Sequence, residues 1–386
     1  MTKTIEAAIR IARRDLRSCY TRHGLLTGSR KVYWSWDSFF AGFGALALGD
    51  FKVVKKNLEL YLRLQRRNGL LPKRIAHPLY ALRFVGLPIR EEWLRQKPNY
   101  RTAYYSGFSL AQNPTFLIAF CQYIEESGDL KFLSENWLKL EKAISVLKKY
   151  CYRSGLLREK IGGGWAESVL KRGAITFTNI CFARSLFCLG VLARKLGREK
   201  DSARYERWFK RVVKAINKRL WSEANGGFYS DWVGFSRHHH FTSDGNLLAI
   251  WWGIAGRRRA RAIEKRLDEM LAAAEVPLPL TLDKYFWWRI FFLNHLGGMK
   301  NYHASFSWTW LASAAALAKL KLKKKKEAVE ILERIAKAIV RDRTVHEIYY
   351  GGKPVNLFFY KSEKPWAWAA GLFLYTASES GFNLRV

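Results

Sequence analysis

The stretch Phe39-Phe40-Ala41-Gly42-Phe43-Gly44-Ala45-Leu46-Ala47-Leu48-Gly49-Asp50-Phe51-Lys52-Val53-Val54-Lys55-Lys56-Asn57-Leu58-Glu59-Leu60 carries the pattern from which the fold is read. Phe39 to Leu48 is apolar all round and free of charge, so a helix there is buried. After the Gly49-Asp50 break, Lys55, Lys56 and Glu59 give the next helix a charged face, so it lies outside. Working outward, a period near 3.6 predicts twelve helices at about 3–20, 38–48, 51–67, 107–127, 134–152, 177–197, 201–221, 244–254, 257–273, 303–320, 324–341 and 366–380. Odd-numbered ones are charged, as with Lys323 to Lys326, Glu327, Glu330 and Glu333; even-numbered ones are rich in Ala, Gly, Phe and Trp, as in Phe108 to Phe120 and Trp366 to Tyr375. Six outer–inner pairs imply two concentric rings: an all-α (α/α)6 toroid, or six-hairpin barrel. No linker divides the chain, so a single domain over 1–386 is expected.

The connections are asymmetric. Outer-to-inner segments are long (21–37, 68–106, 153–176, 222–243, 274–302 and 342–365), whereas inner-to-outer ones are often just Gly-Asp or Gly-Arg. Long loops in compact domains commonly carry function. In a toroid all six emerge at one end, which is where a site is expected.

Composition narrows the chemistry. Among 386 residues, 67 Lys and Arg against 32 Asp and Glu leave a formal charge of +35, which favours anionic partners. The five cysteines form no CxxC pair, so neither a zinc cage nor a disulfide framework is expected. No Gly-rich phosphate loop or nucleophile elbow occurs, and no cofactor is expected. His238-His239-His240 has no partner cluster at ligand spacing; it reads as a solvent-exposed loop, and no metal is expected. The basic runs Arg257 to Arg261 and Lys319 to Lys326 read as solvated outer faces. No uncharged apolar run of 18 residues is present, and Arg10, Arg13, Arg14 and Arg17 interrupt the region a signal peptide would use. A cytoplasmic protein without a membrane partner is the expectation. A nucleic-acid partner rests on charge alone and is not expected.

Aromatic residues make up 15% of the chain, with 16 Trp, many beside polar groups, which points to a binding cleft. Asp37, in Trp34-Ser35-Trp36-Asp37-Ser38, is placed to cap the second helix, to contact a ligand, or both. Glu167 follows Gly162-Gly163-Gly164-Trp165-Ala166, where glycines allow close backbone approach to a ligand. Glu347 alternates with apolar residues in Val345-His346-Glu347-Ile348-Tyr349, and the alternation leaves open which face is buried. Two carboxyl groups across an aromatic cleft suit glycosidic cleavage: one protonated, to donate to the leaving oxygen, and one ionised, to activate water. Gln112, Asn113, Asn179, Asp244, His303 and Trp366, at inner-helix entrances, are candidates to hold sugar hydroxyls or rings.

Three strings, Trp36-Asp37-Ser38-Phe39-Phe40, Asn68-Gly69-Leu70-Leu71-Pro72-Lys73-Arg74 and Ala111-Gln112-Asn113-Pro114, resemble the (α/α)6-barrel glycoside hydrolases. The similar groups are glycoside hydrolase family 63 (mannosylglycerate hydrolase and processing α-glucosidase relatives), trehalase, and the amylo-α-1,6-glucosidase part of glycogen debranching enzyme. Gly164-Trp165-Ala166-Glu167-Ser168-Val169 resembles the segment of the general acid, and Val345-His346-Glu347-Ile348-Tyr349 that of the general base. Ser362-Glu363-Lys364-Pro365-Trp366-Ala367-Trp368-Ala369 resembles the last inner helix. The family usually has Asp where Glu167 stands, which moves the donor about one bond, roughly 1.5 Å.

The resemblance implies an inverting glycoside hydrolase acting on an α-linked terminal glucose or mannose, with Glu167 as acid and Glu347 as base. Trp36, Asp37, Gln112, Trp165, Asn179 and Trp366 would shape the pocket. The basic excess suggests an anionic acceptor such as a sugar-glycerate, within reach of Lys171 and Arg172. The alternatives are a uronate lyase using Tyr349, His303 and Arg172, or a sugar- or polyanion-binding barrel without turnover.

Overall fold

The computed structural model describes residues 2–29, 31–76, 97–101, 109–235, 237–274, 276 and 278–385. The start of the helix expected at 107 and most of the 68–106 connection lie outside these residues.

Among the described residues, the six outer helices are α1 (Thr2–Ser18), α3 (Phe51–Arg63), α5 (Leu130–Ser145), α7 (Glu199–Arg219), α9 (Arg257–Ala273) and α12 (Lys325–Asp342). Six inner ones are α2 (Ser35–Ala47), α4 (Gln112–Ser127), α6 (Thr176–Lys195), α8 (Ser243–Trp251), α11 (Thr309–Lys321) and α13 (Ala367–Glu379). A short α10 (Phe292–Leu296) lies in the connection before α11. Each inner helix packs on the next, α2 on α4, α4 on α6, α6 on α8, α8 on α11 and α11 on α13, and α13 returns to α2. The ring is closed, and the fold is an (α/α)6 toroid.

Closure rests on small residues. A Cβ on Gly44 would lie 2.3 Å from the Gly371 carbonyl oxygen, and one on Gly371 would lie 2.6 Å from the Ala41 Cα, so only glycine lets α2 and α13 cross this closely. α6 is long and apolar enough to cross a membrane, but it is the third inner helix and is largely buried in the ring.

Among the described residues the long connections carry ten short strands: β1 (Tyr33–Trp34), β2 (Arg74–Ala76), β3 (Lys97–Asn99), β4 (Ala174–Ile175), β5 (Trp221–Ser222), β6 (Phe228–Val233), β7 (Arg237–Phe241), β8 (Ser307–Trp308), β9 (Ile348–Tyr350) and β10 (Lys353–Pro354). They form three antiparallel sheets, β1-β2-β3, β4-β6-β5 with β7 on β6, and β10-β9-β8. β1, β4 and β8 each run straight into an inner helix. A strand pair thereby fixes where α2, α6 and α11 begin.

Three local expectations are corrected. The helix expected from 303 begins at Thr309, because residues 301–306 form a turn with Ala304 and Phe306 N–H groups on the Asn301 carbonyl, and Ser307–Trp308 pairs with β9. His238 and His240 lie on β7, half-buried against the Trp232 ring (centroids 4.2 and 5.9 Å away), rather than in an exposed loop. Lys319 is not on a solvated outer face. It is buried at the end of α11, 2.8 Å from Glu264 and 2.6 Å from Asp268, and bonded also to Glu327. Burial works against its charge, and Asp268, Glu264 and Glu327 outweigh that and raise its pKa.

Buried asparagines tie loops to inner helices. The Asn113 amide donates to the Gly69 and Ala143 carbonyls and accepts the Leu71 N–H. Asn179 donates to Leu157 and Ile175 and accepts the Leu157 N–H; Asn246 does the same with Tyr229 and Thr242. Removing such a side chain strands buried backbone groups at about 1–3 kcal/mol. Asn113→Ala and Asn179→Ala should each lower stability by about that amount, read as a shift in the denaturant midpoint.

Candidate active site

A cavity of about 530 Å³ opens at the loop end of the ring. Its wall includes Trp34, Trp36, Trp165, Trp308, Trp366 and Trp368, together with four carboxyl groups, Asp37, Glu167, Glu347 and Glu363. Tyr302, His303 and Tyr360 complete the polar lining, while Leu293, Asn294, Gly297 and Met299 come from the α10 segment. The volume is that of a small-ligand site. Among the described residues, no Lys or Arg lines it.

Glu167 reaches the cavity because Glu159 organises the turn before it. The Glu159 carboxylate accepts the Leu110 and Gly164 N–H groups at 2.8 and 3.1 Å and the Thr178 hydroxyl at 2.6 Å. Burial raises its pKa, and these donors oppose the rise. Gly164 has φ +74°, and a Cβ on Gly163 would sit 2.5 Å from the Glu159 Cβ. Gly163 thus makes room for Glu159, where the sequence alone points to a ligand.

Trp165 follows, its indole N–H donating to Asp244 at 2.6 Å and its ring meeting His303, Trp308, Trp310 and Trp368 edge-on. Glu167 then forms a buried ion pair with Lys73, whose ammonium also lies 5.3 and 5.8 Å from the Trp34 and Trp36 rings. Burial, helped by Arg74, pushes the Lys73 pKa well down.

Across the ring, both residues of the ambiguous alternation, His346 and Glu347, are buried, but only Glu347 lines the cavity. Its main chain is pinned by Thr309 and by the Glu363 carbonyl. The side chain accepts the Tyr302 hydroxyl at 2.6 Å and the Tyr360 hydroxyl on its other oxygen. Two phenol donors, one on each oxygen, fix the orientation of this carboxyl group toward the cavity.

Asp37 is the third residue of α2, not its N-cap. It accepts the Trp366 indole N–H at 3.2 Å, which links the first inner helix to the entrance of the last. Its pKa is raised well above the carboxylate range, first by burial, then by Glu347 and Glu363. His303 donates to or accepts from Ser168 at 2.7 Å; burial, with Lys171 and Lys73, pushes its pKa well down and keeps the ring neutral.

The structure therefore brings Trp36, Asp37, Trp165, Glu167, His303, Glu347 and Trp366 to one cavity. Asp244 stands behind it, holding Trp165; its pKa is raised by burial against the opposing field of Lys171. The other predicted residues are placed elsewhere. Asn113 and Asn179 are the loop clamps described above, and Gln112 donates to the Leu71 carbonyl at 3.4 Å. Lys171 is spent on a buried pair with Asp231 at 2.7 Å, to which Tyr285 also donates at 2.8 Å. Arg172 is exposed, over the Phe235 ring. Tyr349 donates to Asp342 and does not line the cavity, so the residues weighed for a lyase are not assembled.

Lys73, Glu363, Tyr302 and Tyr360 were missed as site residues. Lys73 in the apolar run Leu70-Leu71-Pro72 and Glu363 before Pro365-Trp366 were the available signals, each a charged residue beside apolar neighbours.

Residues 90–278 match the family described as bacterial alpha-L-rhamnosidase 6 hairpin glycosidase domain, a span just under half the chain that holds Glu167 and ends before Glu347. No match is found among curated protein sequences. Among solved structures, the chain is similar to the GH63 mannosylglycerate hydrolase from Thermus thermophilus in complex with glucose, with TM-score 0.71, 16% identity, and 95% of this chain and 99% of that one covered. It is also similar to a rhamnosidase from Klebsiella oxytoca with rhamnose bound (TM-score 0.70, 14% identity, 97% and 63% covered). A GH78 family rhamnosidase of Bacillus sp. GL1 gives TM-score 0.69 at 17% identity, with 97% and 35% covered. These likenesses show the (α/α)6 six-hairpin fold.

The raised Asp37 pKa has a stability consequence of definite sign. A carboxyl group that binds its proton more tightly when folded adds stability below the unfolded pKa of about 3.9, and this is lost as pH rises through the folded pKa. Each tenfold gain in proton affinity on folding is worth about 1.4 kcal/mol. Relative to Asp37→Asn, the wild type should therefore lose stability as pH rises above about 4. Denaturant midpoints of the two proteins across pH test this; parallel curves would place Asp37 in an unperturbed environment.

Proposed function

We propose that the protein is an inverting glycoside hydrolase that removes an α-linked terminal sugar. The observation that carries the reading is the pairing of Glu167 and Glu347 in one Trp-walled cavity, on loops preceding the third and sixth inner helices. Those helices stand opposite each other in a ring of six. Such placement suits the spacing of about 6.5–9.5 Å that leaves room for water, rather than the roughly 5–5.5 Å of retaining enzymes.

In this mechanism Glu347, oriented by Tyr302 and Tyr360, takes a proton from water as the oxygen bonds to the anomeric carbon. The glycosidic C–O bond breaks, and Glu167 gives a proton to the departing oxygen. Lys73, paired with Glu167, holds the acid in place beside the departing oxygen. Trp36, Trp165 and Trp366 supply faces for the ring, and Asp37 and Glu363 supply hydrogen bonds to hydroxyl groups. Four lining carboxyl groups favour a neutral glycone over the anionic acceptor suggested by the net charge.

Glu167→Gln and Glu347→Gln should each reduce turnover by about 10²–10⁴-fold on a cleaved α-glycoside while leaving the fold intact. Proton NMR in the first minutes should show the β-anomer released. Initial α-anomer would end the inverting assignment, and sugar binding without product from the wild type would make the barrel a binding module.

A further inference from the structure

We propose that the rim around the cavity docks on an anionic lipid bilayer. Two segments of the rim expose large apolar side chains together. From the α10 connection come Phe286, Trp287 (76% exposed), Phe292 and Leu296 (74%); from the segment after β10 come Phe358 (93%) and Phe359. The segments are neighbours, since Gly298 lies against Leu357 and both segments line the same cavity, through Leu293 and Asn294 on one side and Phe359 and Tyr360 on the other. Other exposed apolar residues stand apart in sequence, such as Phe51, Leu130 and Leu138 on outer helices, Phe187 on α6 and Phe235 in the β6–β7 turn. A clustered patch of this kind marks an interaction surface.

Charge selects the partner. Around the patch Lys284, Lys300, Lys353, Lys361 and Lys364 are exposed, and Arg289 lies over the Trp288 ring at 4.2 Å. The acids of the same stretches are engaged: Asp283 is 3.6 Å from Arg266 and accepts the Phe241 N–H, and Glu363 is buried at the cavity. A second copy of the chain would bring another +35 and another basic rim against this one, so self-association is opposed. An anionic bilayer satisfies both features. Trp and Phe settle at the headgroup level, leucines of a short amphipathic turn enter the acyl boundary, and each nearby Lys or Arg adds attraction to anionic lipid. Base stacking on single-stranded nucleic acid would use the rings but leave Leu293 and Leu296 without a role.

Docked this way, the cavity faces the membrane. Its substrate class, resting on the hydrolase reading above, is then the headgroup sugar of a glycolipid. Binding itself is independent of that reading and is tested without turnover. Co-sedimentation of the full chain with phosphatidylglycerol vesicles should show binding that weakens as salt rises, and binding at least tenfold weaker to phosphatidylcholine vesicles. The triple variant Trp287→Ser, Leu296→Ser, Phe358→Ser, all outside the cavity lining, should lose at least tenfold in phosphatidylglycerol binding, with hydrolysis of a small soluble glycoside unchanged. Lys353→Glu with Lys361→Glu should weaken binding and reduce its salt dependence. Wild-type binding by the triple variant would overturn the proposal, assigning the attraction to overall charge. So would a dimer in sedimentation equilibrium that this variant dissociates, or displacement of a rim-bound single-stranded oligonucleotide in place of vesicle binding.

Discussion

Everything in this molecule depends on two glycine backbones meeting where the ring closes. Gly44 on the first inner helix and Gly371 on the last approach within a distance that no side chain would permit. That contact places α2 beside α13, and so puts Asp37 within reach of the Trp366 indole. The outer ring is stitched at the same seam: Asp15 on α1 accepts the Thr344 hydroxyl and the Val345 N–H just after α12, and Arg13 donates to the Leu384 carbonyl near the C-terminus. Glu347 is two residues from that stitch. Without closure, the acidic wall of the cavity would be two unrelated edges.

Charge is sorted radially. Basic residues crowd the outer helices and the rim, while the cavity gathers carboxyl groups and tryptophans. Cations that do enter the interior are held by acids: Lys73 by Glu167, Lys171 by Asp231, and Lys319 by Glu264, Asp268 and Glu327. A buried charge persists only with such a partner. The formal charge of the chain is therefore a statement about its exterior, and the chemistry of the site follows a different, acidic balance.

The architecture was legible because burial leaves a periodic trace: Phe39 to Leu48 has no polar face to turn outward, and the helix after it does. Trp36, Asp37, Trp165, Glu167, Glu347 and Trp366 reached one cavity because each lies at the start of an inner helix or in the connection leading to one, and these share one end of a toroid. The same rule misplaced Asn113 and Asn179. An amide at an entrance reads alike whether it faces a ligand or the backbone of the preceding loop, and only coordinates separate the two. Lys73 was invisible as a site residue because its partner lies 94 positions away (167 − 73), on a turn whose shape depends on Glu159. Lys319 was misread because a basic run that crosses from an inner to an outer helix has no periodicity of its own.

The seam also sets the order in which the chain can become a protein. Contacts between α1 and α12, and between α2 and α13, join residues more than 300 positions apart, and such pairings form slowly because a long loop must first close. During synthesis, the aromatic inner helices α2, α4, α6 and α8 emerge with no complete ring to enter. Their apolar flanks stay open until α13 has emerged to meet α2. A half-built toroid of this composition exposes apolar surface of the kind that makes folding intermediates prone to aggregate.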